Sequence, residues 1–178
     1  LNTSKLFELT AVCDQSPDRL NQAGELFKAR TYMSAQELIA NPEIELVVVS
    51  APSYLHKSLT ISALTAGKHV IVEKPMTTNL ADADAMLDAS EKSGSILTVF
   101  HNRRWDRDYL MIKKLYQNGN FGNLFSIDSR VMTFGPEWSN YGVKEYDPHW
   151  RTKAAYGGGF LSDWGPHLVD QILDLSGE

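Results

Sequence analysis

The 178-residue chain is long enough for one full domain or parts of two, and its 43% hydrophobic content can supply a core. Lys and Arg total 17 against 22 for Asp and Glu, and this net charge of -5 gives no general attraction to phosphate backbones, so no nucleic-acid partner is expected. The longest apolar run, Leu46 to Ala51, is interrupted at Ser50 and is too short for a membrane span, which argues against a membrane partner.

Strand-like and helix-like segments alternate along the first part of the chain. Leu6 to Cys13 is apolar and predicts a strand closed by Asp14, and Ser16-Pro17-Asp18 then supplies an N-cap, a first-turn proline and an early acid for a helix. The later segments predict a strand at Leu46 to Val49 covered on both faces, a helix at Leu55 to Ala66 ended by Gly67, a strand at His69 to Val72, a helix at Leu80 to Ser93 ended by Gly94, and a strand at Ile96 to Phe100. This alternation predicts an α/β fold over residues 1–121, with a doubly wound parallel Rossmann-type sheet.

The pattern changes beyond Trp105. A helix is expected first, followed by a Gly- and Asn-rich turn from Asn118 to Asn123, an alternating strand-like segment from Leu124 to Phe134, and a helix from Leu161 to Leu175. One strand and one helix cannot bury both faces of a sheet. Residues 122–178 are therefore expected to be the start of a second, α+β domain with a mainly antiparallel sheet.

The sequence lacks the strand and glycine-rich turn with which a dinucleotide-binding domain normally opens, because it contains no G-x-G-x-x-G. Its first strand, ending at Asp14, matches the second strand of such a domain, where an acid hydrogen-bonds the ribose hydroxyls of NAD. We therefore expect an incomplete dinucleotide-binding domain that prefers NAD. NADP is the alternative, because Gln15, Ser16 and Arg19 lie close enough in sequence to hold a 2′-phosphate.

Polar residues follow four of the predicted strands. The carboxyl ends of parallel strands meet at one crevice, so these residues are expected to converge on a single ligand site. They are Asp14, Ser50-Ala51-Pro52, Glu73-Lys74-Pro75 and His101-Asn102-Arg103.

Three segments carry recognisable motifs: Val47 to His56 (VVVSAPSYLH), Gly67 to Met76 (GKHVIVEKPM) and Gly157 to Leu168 (GGGFLSDWGPHL). Together they resemble the Gfo/Idh/MocA family, named partly for glucose-fructose oxidoreductase and inositol dehydrogenase. Glu-Lys-Pro at residues 73–75 and Asp-x-Gly-x-His at residues 163–167 are its signatures, and the resemblance covers nearly the whole chain. The segment from His101 to Trp105 looks most like the branch that acts on inositols and related sugars.

The resemblance implies an NAD(P)-dependent dehydrogenase that moves a hydride between the cofactor and a secondary alcohol of a sugar or cyclic polyol. It gives His167 a catalytic role and Asp163 a substrate-orienting role, and it places Lys74 against both substrate and cofactor. The chemistry agrees, because an imidazole can accept a hydroxyl proton near neutral pH and an ammonium can stabilise a developing alkoxide.

The resemblance and the strand ends together give a cofactor-binding set. Glu73 is expected near the nicotinamide ribose, and Trp150-Arg151 resembles a pair that reaches the cofactor in similar proteins. The full set is Asp14, Ser50, Ala51, Pro52, His56, Glu73, Lys74, Asn102, Arg103, Trp150 and Arg151. No metal is expected, because Asp163 and His167 lack a third ligand at recognisable spacing, although His56, His101 and His149 are scattered through the chain.

Structural alternatives stay open for these residues. Lys74 and Glu73 fit solvated charges, Asp163 and His167 fit a helix cap and a packing histidine, and Trp150-Arg151 fits a loop aromatic with a surface arginine. The rival function is a non-catalytic relative that senses dinucleotide or sugar, and a second enzyme reading is reduction of an amino sugar, an imine-like substrate or a bilin. The combination of Lys74, Asp163 and His167 favours an enzyme, because a sensor needs no proton acceptor.

The single cysteine, Cys13, cannot form an internal disulfide, and its apolar neighbours predict a buried residue. This cysteine usage fits a reducing, cytoplasmic compartment, and no signal peptide is recognisable. A homo-oligomer, either a dimer or a tetramer, is expected to form through the second domain.

Overall fold

The computed structural model describes residues 5–132 and 150–177. Its strands are three or four residues long, and they are β1 Ala11–Cys13, β2 Arg30–Tyr32, β3 Leu46–Val49, β4 His69–Val72 and β5 Leu97–Val99. The α-helices are α1 Pro17–Phe27, α2 Ala35–Ala40, α3 Ser53–Thr65, α4 Leu80–Ser93, α5 Arg107–Gln117 and α6 Phe160–Ser176. Short 3₁₀ helices lie at Asn102–Trp105, Trp150–Thr152 and Ala154–Tyr156.

All strand pairings are parallel. β1 pairs with β2, and β3, β4 and β5 form a second sheet in that order, with Val47 opposite Val70 and Val70 opposite Leu97. The classic Rossmann strand order is 3-2-1-4-5-6. β2 and β1 match its positions 3 and 2, and β3, β4 and β5 match its positions 4, 5 and 6, while no strand in the described ranges corresponds to position 1. The predicted α/β class with a parallel Rossmann-type sheet is confirmed.

The core lies between the three-stranded sheet and the helices α3 and α4. Val70 and Val72 are alternate residues of β4, so they share this face of the sheet, and both are fully buried. Leu64 of α3 and Met86 of α4 are also fully buried. Shortening a buried leucine such as Leu64 to alanine typically costs about 2–5 kcal/mol. This packing fixes the carboxyl end of β4, and Glu73 and Lys74 follow directly after it.

The opposite face of β3 is less covered than the sequence predicts. Val48 remains 42% exposed, whereas Val49 beside it is buried. A continuous β-branched run predicts a strand buried on both faces, but burial also requires an element to pack on each side. In the described part of the chain the Val48 face is only partly covered.

Several predicted boundaries are confirmed to the residue. β3, β4 and α4 run as expected, and α4 begins where the Asn79 side chain accepts a 2.9 Å hydrogen bond from the Asp82 backbone N–H and ends at Gly94 with φ of 68°. β1 is shorter than predicted, because only its last three residues pair with β2. Neither β2 nor α2 was expected from the sequence.

Two expectations are wrong. The segment from Leu124 contains no strand as far as Met132, the last described residue before the gap, and Phe125 and Met132 are 98% and 84% exposed. Alternating polarity makes a strand only where a neighbouring strand supplies hydrogen-bond partners. Cys13 is half-buried, and that burial, followed by the charges of Asp14 and Glu37, raises the pKa of its thiol.

Residues 133–134 and His149 lie outside the described ranges, and the domain boundary near Gly122 stays a prediction. None of the described helices is both long and apolar enough to cross a membrane.

Candidate active site

Lys74 and Asp163 form the centre of the site, although they lie 89 positions apart in the sequence. Lys74 follows β4, and its Nζ donates hydrogen bonds to the Asp163 carboxylate Oδ1 at 2.7 Å and to the Asp163 carbonyl oxygen at 2.8 Å. Their side chains are only 14% and 13% exposed. A partly desolvated ion pair with two charge-assisted hydrogen bonds is a rigid arrangement, so the end of β4 is tied to the first turn of α6.

His167 lies one turn farther along α6 and is 5% exposed. Its ring contacts Trp164 edge-on, with centroids 5.8 Å apart. Burial, followed by the positive charges of Lys74 and Arg103 among others, lowers the pKa of His167 to about 4, although Asp163 acts in the opposite direction. The imidazole is therefore neutral at pH 7.

A glycine-rich turn brings Arg151 to the same carboxylate. Arg151 Nη1 donates to Asp163 Oδ1 at 3.0 Å, so Asp163 lies between two cations. The turn between them needs glycine, because a Cβ on Gly158 would lie 2.4 Å from the carbonyl oxygen of Arg151 and a Cβ on Gly157 would lie 2.3 Å from the Thr78 side chain. The glycines at 157 and 158 therefore permit a close approach that a larger residue would prevent.

His56 joins two of the strand-end loops. Its Nε2 lies 2.8 Å from the carbonyl oxygen of Ala51 and its Nδ1 lies 2.9 Å from that of Pro75, and the residue is 1% exposed. The loop after β3, with Ser50 and Pro52, is thereby fixed beside the loop after β4. His56 therefore connects the two loops. Its direct contact with a cofactor remains a prediction.

Arg103 and Asn102 follow β5 in a short 3₁₀ helix. The Arg103 guanidinium lies over the Trp164 ring, 5.0 Å from its centroid, and its backbone carbonyl accepts a 2.7 Å hydrogen bond from Gln171 of α6. Arg103 therefore contacts α6, whereas Asn102 is exposed.

Asp14 stands apart from the Lys74 cluster, at the end of β1 in the two-stranded sheet. Its carboxylate accepts hydrogen bonds from the Ser16 backbone N–H at 2.8 Å and from Arg19 Nη1 at 3.1 Å. Glu73 accepts a 3.2 Å hydrogen bond from the Lys74 backbone N–H. The backbone of Trp150 lies in the helix that also contains Arg151, and its cofactor contact stays a prediction.

The sequence reasoning missed a set of residues that hold α6 in place. Arg104 donates to both oxygens of Asp170 at 2.7 Å, and Asp174 accepts from Lys113 at 2.6 Å and from the Tyr109 hydroxyl. Asp170 lies three residues after His167, and Asp174 lies four residues after Asp170, so the two acids share one face of the helix. This spacing was the signal in the sequence from which their pairing with other elements could have been inferred. In the described ranges no group of three or more His, Cys, Asp or Glu residues could hold a metal ion.

Family models account for both parts of the chain. Residues 1–101 match the NAD-binding Rossmann fold of an oxidoreductase family, and residues 109–178 match its C-terminal domain. The chain belongs to the Gfo/Idh/MocA family. The family predicted from the Glu-Lys-Pro and Asp-x-Gly-x-His motifs is confirmed.

Gfo/Idh/MocA relatives of this chain include scyllo-inositol 2-dehydrogenase (NADP(+)) IolW from Bacillus subtilis, 39% identical over 142 residues, which are 80% of this chain and 37% of the relative. An NAD-binding protein from Listeria innocua is 34% identical with a TM-score of 0.79, covering 93% of this chain and 46% of that one. The WlbA dehydrogenase from Bordetella pertussis, solved with NADH and UDP-GlcNAcA, is 28% identical with a TM-score of 0.76, covering 94% and 47%. This chain thus spans less than half the length of each.

The Gfo/Idh/MocA assignment makes a nicotinamide dinucleotide the cofactor of the fold. The residues present fit its ribose and nicotinamide end. Asp14 presents at the end of β1 a carboxylate of the kind that can accept hydrogen bonds from ribose hydroxyls, and the cation of Lys74 and the neutral imidazole of His167 lie near each other beyond β4. No glycine-rich turn for a pyrophosphate is present in this sequence.

Proposed function

We propose that the full-length protein is a dehydrogenase that transfers a hydride between NAD(P) and a secondary alcohol of a sugar or cyclic polyol. The observation that carries this proposal is the hydrogen-bonded pair of Lys74 and Asp163, with the neutral His167 one helical turn away. Alcohol oxidation requires a group that accepts the hydroxyl proton and a cation that stabilises the oxygen as the proton leaves. These residues supply both.

Lys74, His167 and Asp163 have different roles in the proposed reaction. The Lys74 ammonium donates a hydrogen bond to the substrate hydroxyl oxygen, and His167 accepts the hydroxyl proton. Asp163, which holds the ammonium at 2.7 Å and is itself held by Arg151, sets the position of Lys74 and accepts from a neighbouring substrate hydroxyl. When bound, the nicotinamide supplies the hydride chemistry, and the protein supplies geometry and charge.

We assign the cofactor-binding role to the strand-end residues, with Asp14 at the adenosine ribose and Glu73 near the nicotinamide ribose. The loop that carries Ser50, Ala51 and Pro52 supplies backbone groups beside them, and His56 supports that loop. Arg103 and Arg151 belong to the same set, and both are held by α6, Arg103 over the Trp164 ring and Arg151 by Asp163.

Support for a polyol substrate comes from the inositol dehydrogenase relative and from the site's chemistry. A cyclic polyol presents adjacent hydroxyls, which match an ammonium donor and a carboxylate acceptor at one place. The WlbA relative, solved with UDP-GlcNAcA, supports an amino-sugar derivative as the second candidate. A homo-oligomer formed through the second domain and a cytoplasmic location are part of the same proposal.

The test is a panel of inositols, sugars and UDP-linked amino-sugar acids offered to the full-length protein with NAD or NADP, followed at the nicotinamide absorbance. We expect turnover of at least one inositol. Absence of turnover for every cyclic polyol, with activity on a UDP-linked sugar, would contradict the polyol assignment. Dinucleotide binding without any turnover would favour a sensor.

A further inference from the structure

His101 lies beside Asp170, whose hydrogen-bonded pair with Arg104 has no role in the proposed function. It follows β5, and two tight backbone turns fix its position, because its N–H donates to the Val99 carbonyl oxygen at 3.0 Å and the Asn102 N–H donates to that of Phe100 at 3.0 Å. These bonds turn the chain sharply out of the sheet. The imidazole then reaches α6, where its Nε2 lies 3.7 Å from Asp170 Oδ1.

Both His101 and His167 have a ring nitrogen that is enclosed and unpartnered. In the described part of the chain, Nδ1 of each is buried without a hydrogen-bond partner. Buried polar atoms in folded proteins are nearly always paired, with protein groups or with ordered water, so each such atom calls for an explanation. Because Nδ1 of His167 is enclosed, Nε2 is the nitrogen left to face a substrate.

The surroundings of His101 suit a residue that holds a proton briefly. Asp170 is buried and its two oxygens accept from Arg104 at 2.7 Å, which fixes the carboxylate beside the imidazole. The His101 side chain is 27% exposed, and with Arg104 and Asp170 it lines a cavity of about 500 Å³ along β5. A proton on His101 therefore has an anion beside it and a route to water, which the 5% exposed His167 lacks.

We propose that His101 is a positioning residue that acts through His167. His101 takes the proton that His167 has accepted and releases it to solvent, with Asp170 as its counter-ion. This inference rests on the proposed dehydrogenase function. The substrate hydroxyl proton goes to Nε2 of His167, and the proton on its Nδ1 passes across one water to Nδ1 of His101. The proton on Nε2 of His101 then leaves to water, which makes both rings neutral again, each with its proton on the other nitrogen. Exchange of these protons with water restores the starting tautomers before the next turnover.

Charged groups from every neighbouring element act on these two rings. Lys74 from the end of β4, Arg103 from the 3₁₀ helix and His101 itself disfavour a proton on His167, and Asp163 on α6 favours one. Asp170 on α6 lies beside the other ring, with its Oδ1 3.7 Å from Nε2 of His101.

The kinetic test uses full-length His101→Ala and His101→Gln with scyllo-inositol and myo-inositol. We expect kcat to fall about tenfold or more, less than the about 10²- to 10⁴-fold typical for a direct acid or base, with KM unchanged. Added imidazole buffer restores kcat in His101→Ala, because a small base replaces the missing route. His69→Ala, an exposed imidazole at the opposite end of β4, is the matched control and keeps the wild-type kcat.

A merely structural role would raise KM, leave the rate insensitive to imidazole, or change the His69 control equally, and any of these results would overturn the proposal. The second readout needs no substrate. With ¹⁵N-histidine labelling, His101→Gln is expected to shift the Nδ1 resonance of His167, and an unchanged resonance would also overturn the proposal. If the wild type oxidises no inositol and no sugar, the proposed function fails, while this measurement still decides whether the two rings are coupled.

Discussion

The buried neutral state of His167 predicts that the protein loses stability in mild acid. An unfolded histidine binds its proton with a pKa near 6.5, whereas in the fold the pKa of His167 is lowered to about 4. Between these values the unfolded chain binds a proton that the folded protein does not, so falling pH favours unfolding. The stability is fully present above pH 6.5 and is lost as the pH falls toward 4.

The size of this effect follows from the interval between the two pKa values. Each tenfold difference in proton affinity is worth about 1.4 kcal/mol, so the shift from 6.5 to about 4 corresponds to about 3 kcal/mol of unfolding free energy. The His167 side chain is 5% exposed, and because solvent near the site screens part of the effect, about 3 kcal/mol is its upper bound. The effect is a large part of the stability of an ordinary domain.

The assay is urea unfolding of the full-length protein between pH 7.5 and 4, for the wild type and for His167→Gln. The free-energy difference between the two is expected to move by up to about 3 kcal/mol in favour of the variant as the pH falls. Leu64→Ala is the matched control, because it removes core packing without removing a titratable group, and its difference from wild type should not depend on pH. A His167→Gln difference that is equally constant would refute the assignment of a buried neutral imidazole.

Three further predictions concern the site and the chain. Lys74→Ala and His167→Ala should each lower the turnover of the full-length protein by about 10²- to 10⁴-fold, with cofactor affinity kept within about tenfold. Lys57→Ala, which changes an exposed lysine paired with Asp82, should leave turnover unchanged. Unchanged turnover in both site variants would refute the catalytic assignment. The kcat/KM ratio of NAD to NADP should favour NAD and fall in Asp14→Ala, because a 2′-phosphate at about 4 Å from this carboxylate costs about 4 kcal/mol; a wild-type preference for NADP would contradict it. The 178-residue segment alone should unfold without cooperativity and bind dinucleotide weakly, because apolar side chains such as Phe125 remain exposed, and a cooperative melt with tight binding would show otherwise.

The sequence predicted those elements whose signals are local. β3 and β4 are β-branched runs and α4 has both caps, so their bounds could be read directly. β2, with the sequence Arg-Thr-Tyr, has no such signal and exists because β1 pairs with it. The segment after Leu124 shows the converse, because its strand-like alternation lacks a partner in the described residues.

The candidate site likewise contains some residues that the sequence could identify and others that only the fold brings together. Lys74, Asp163 and His167 could be found because their motifs are short and contiguous, and the structure brings Lys74 and Asp163 into contact. The Arg104–Asp170 pair spans 66 positions and belongs to no motif, so only the fold joins it. The lowered pKa of His167 was likewise beyond sequence reasoning, because it depends first on burial and then on charges from other elements.

The central claim is that hydride passes directly between a secondary alcohol and the nicotinamide at the centre built from Lys74, Asp163 and His167. It is tested most directly with scyllo-inositol deuterated at its ring carbons, by measuring the isotope content of the reduced cofactor formed by the full-length protein. We expect one deuterium on the nicotinamide ring for each turnover. A reduced cofactor without deuterium would contradict the claim.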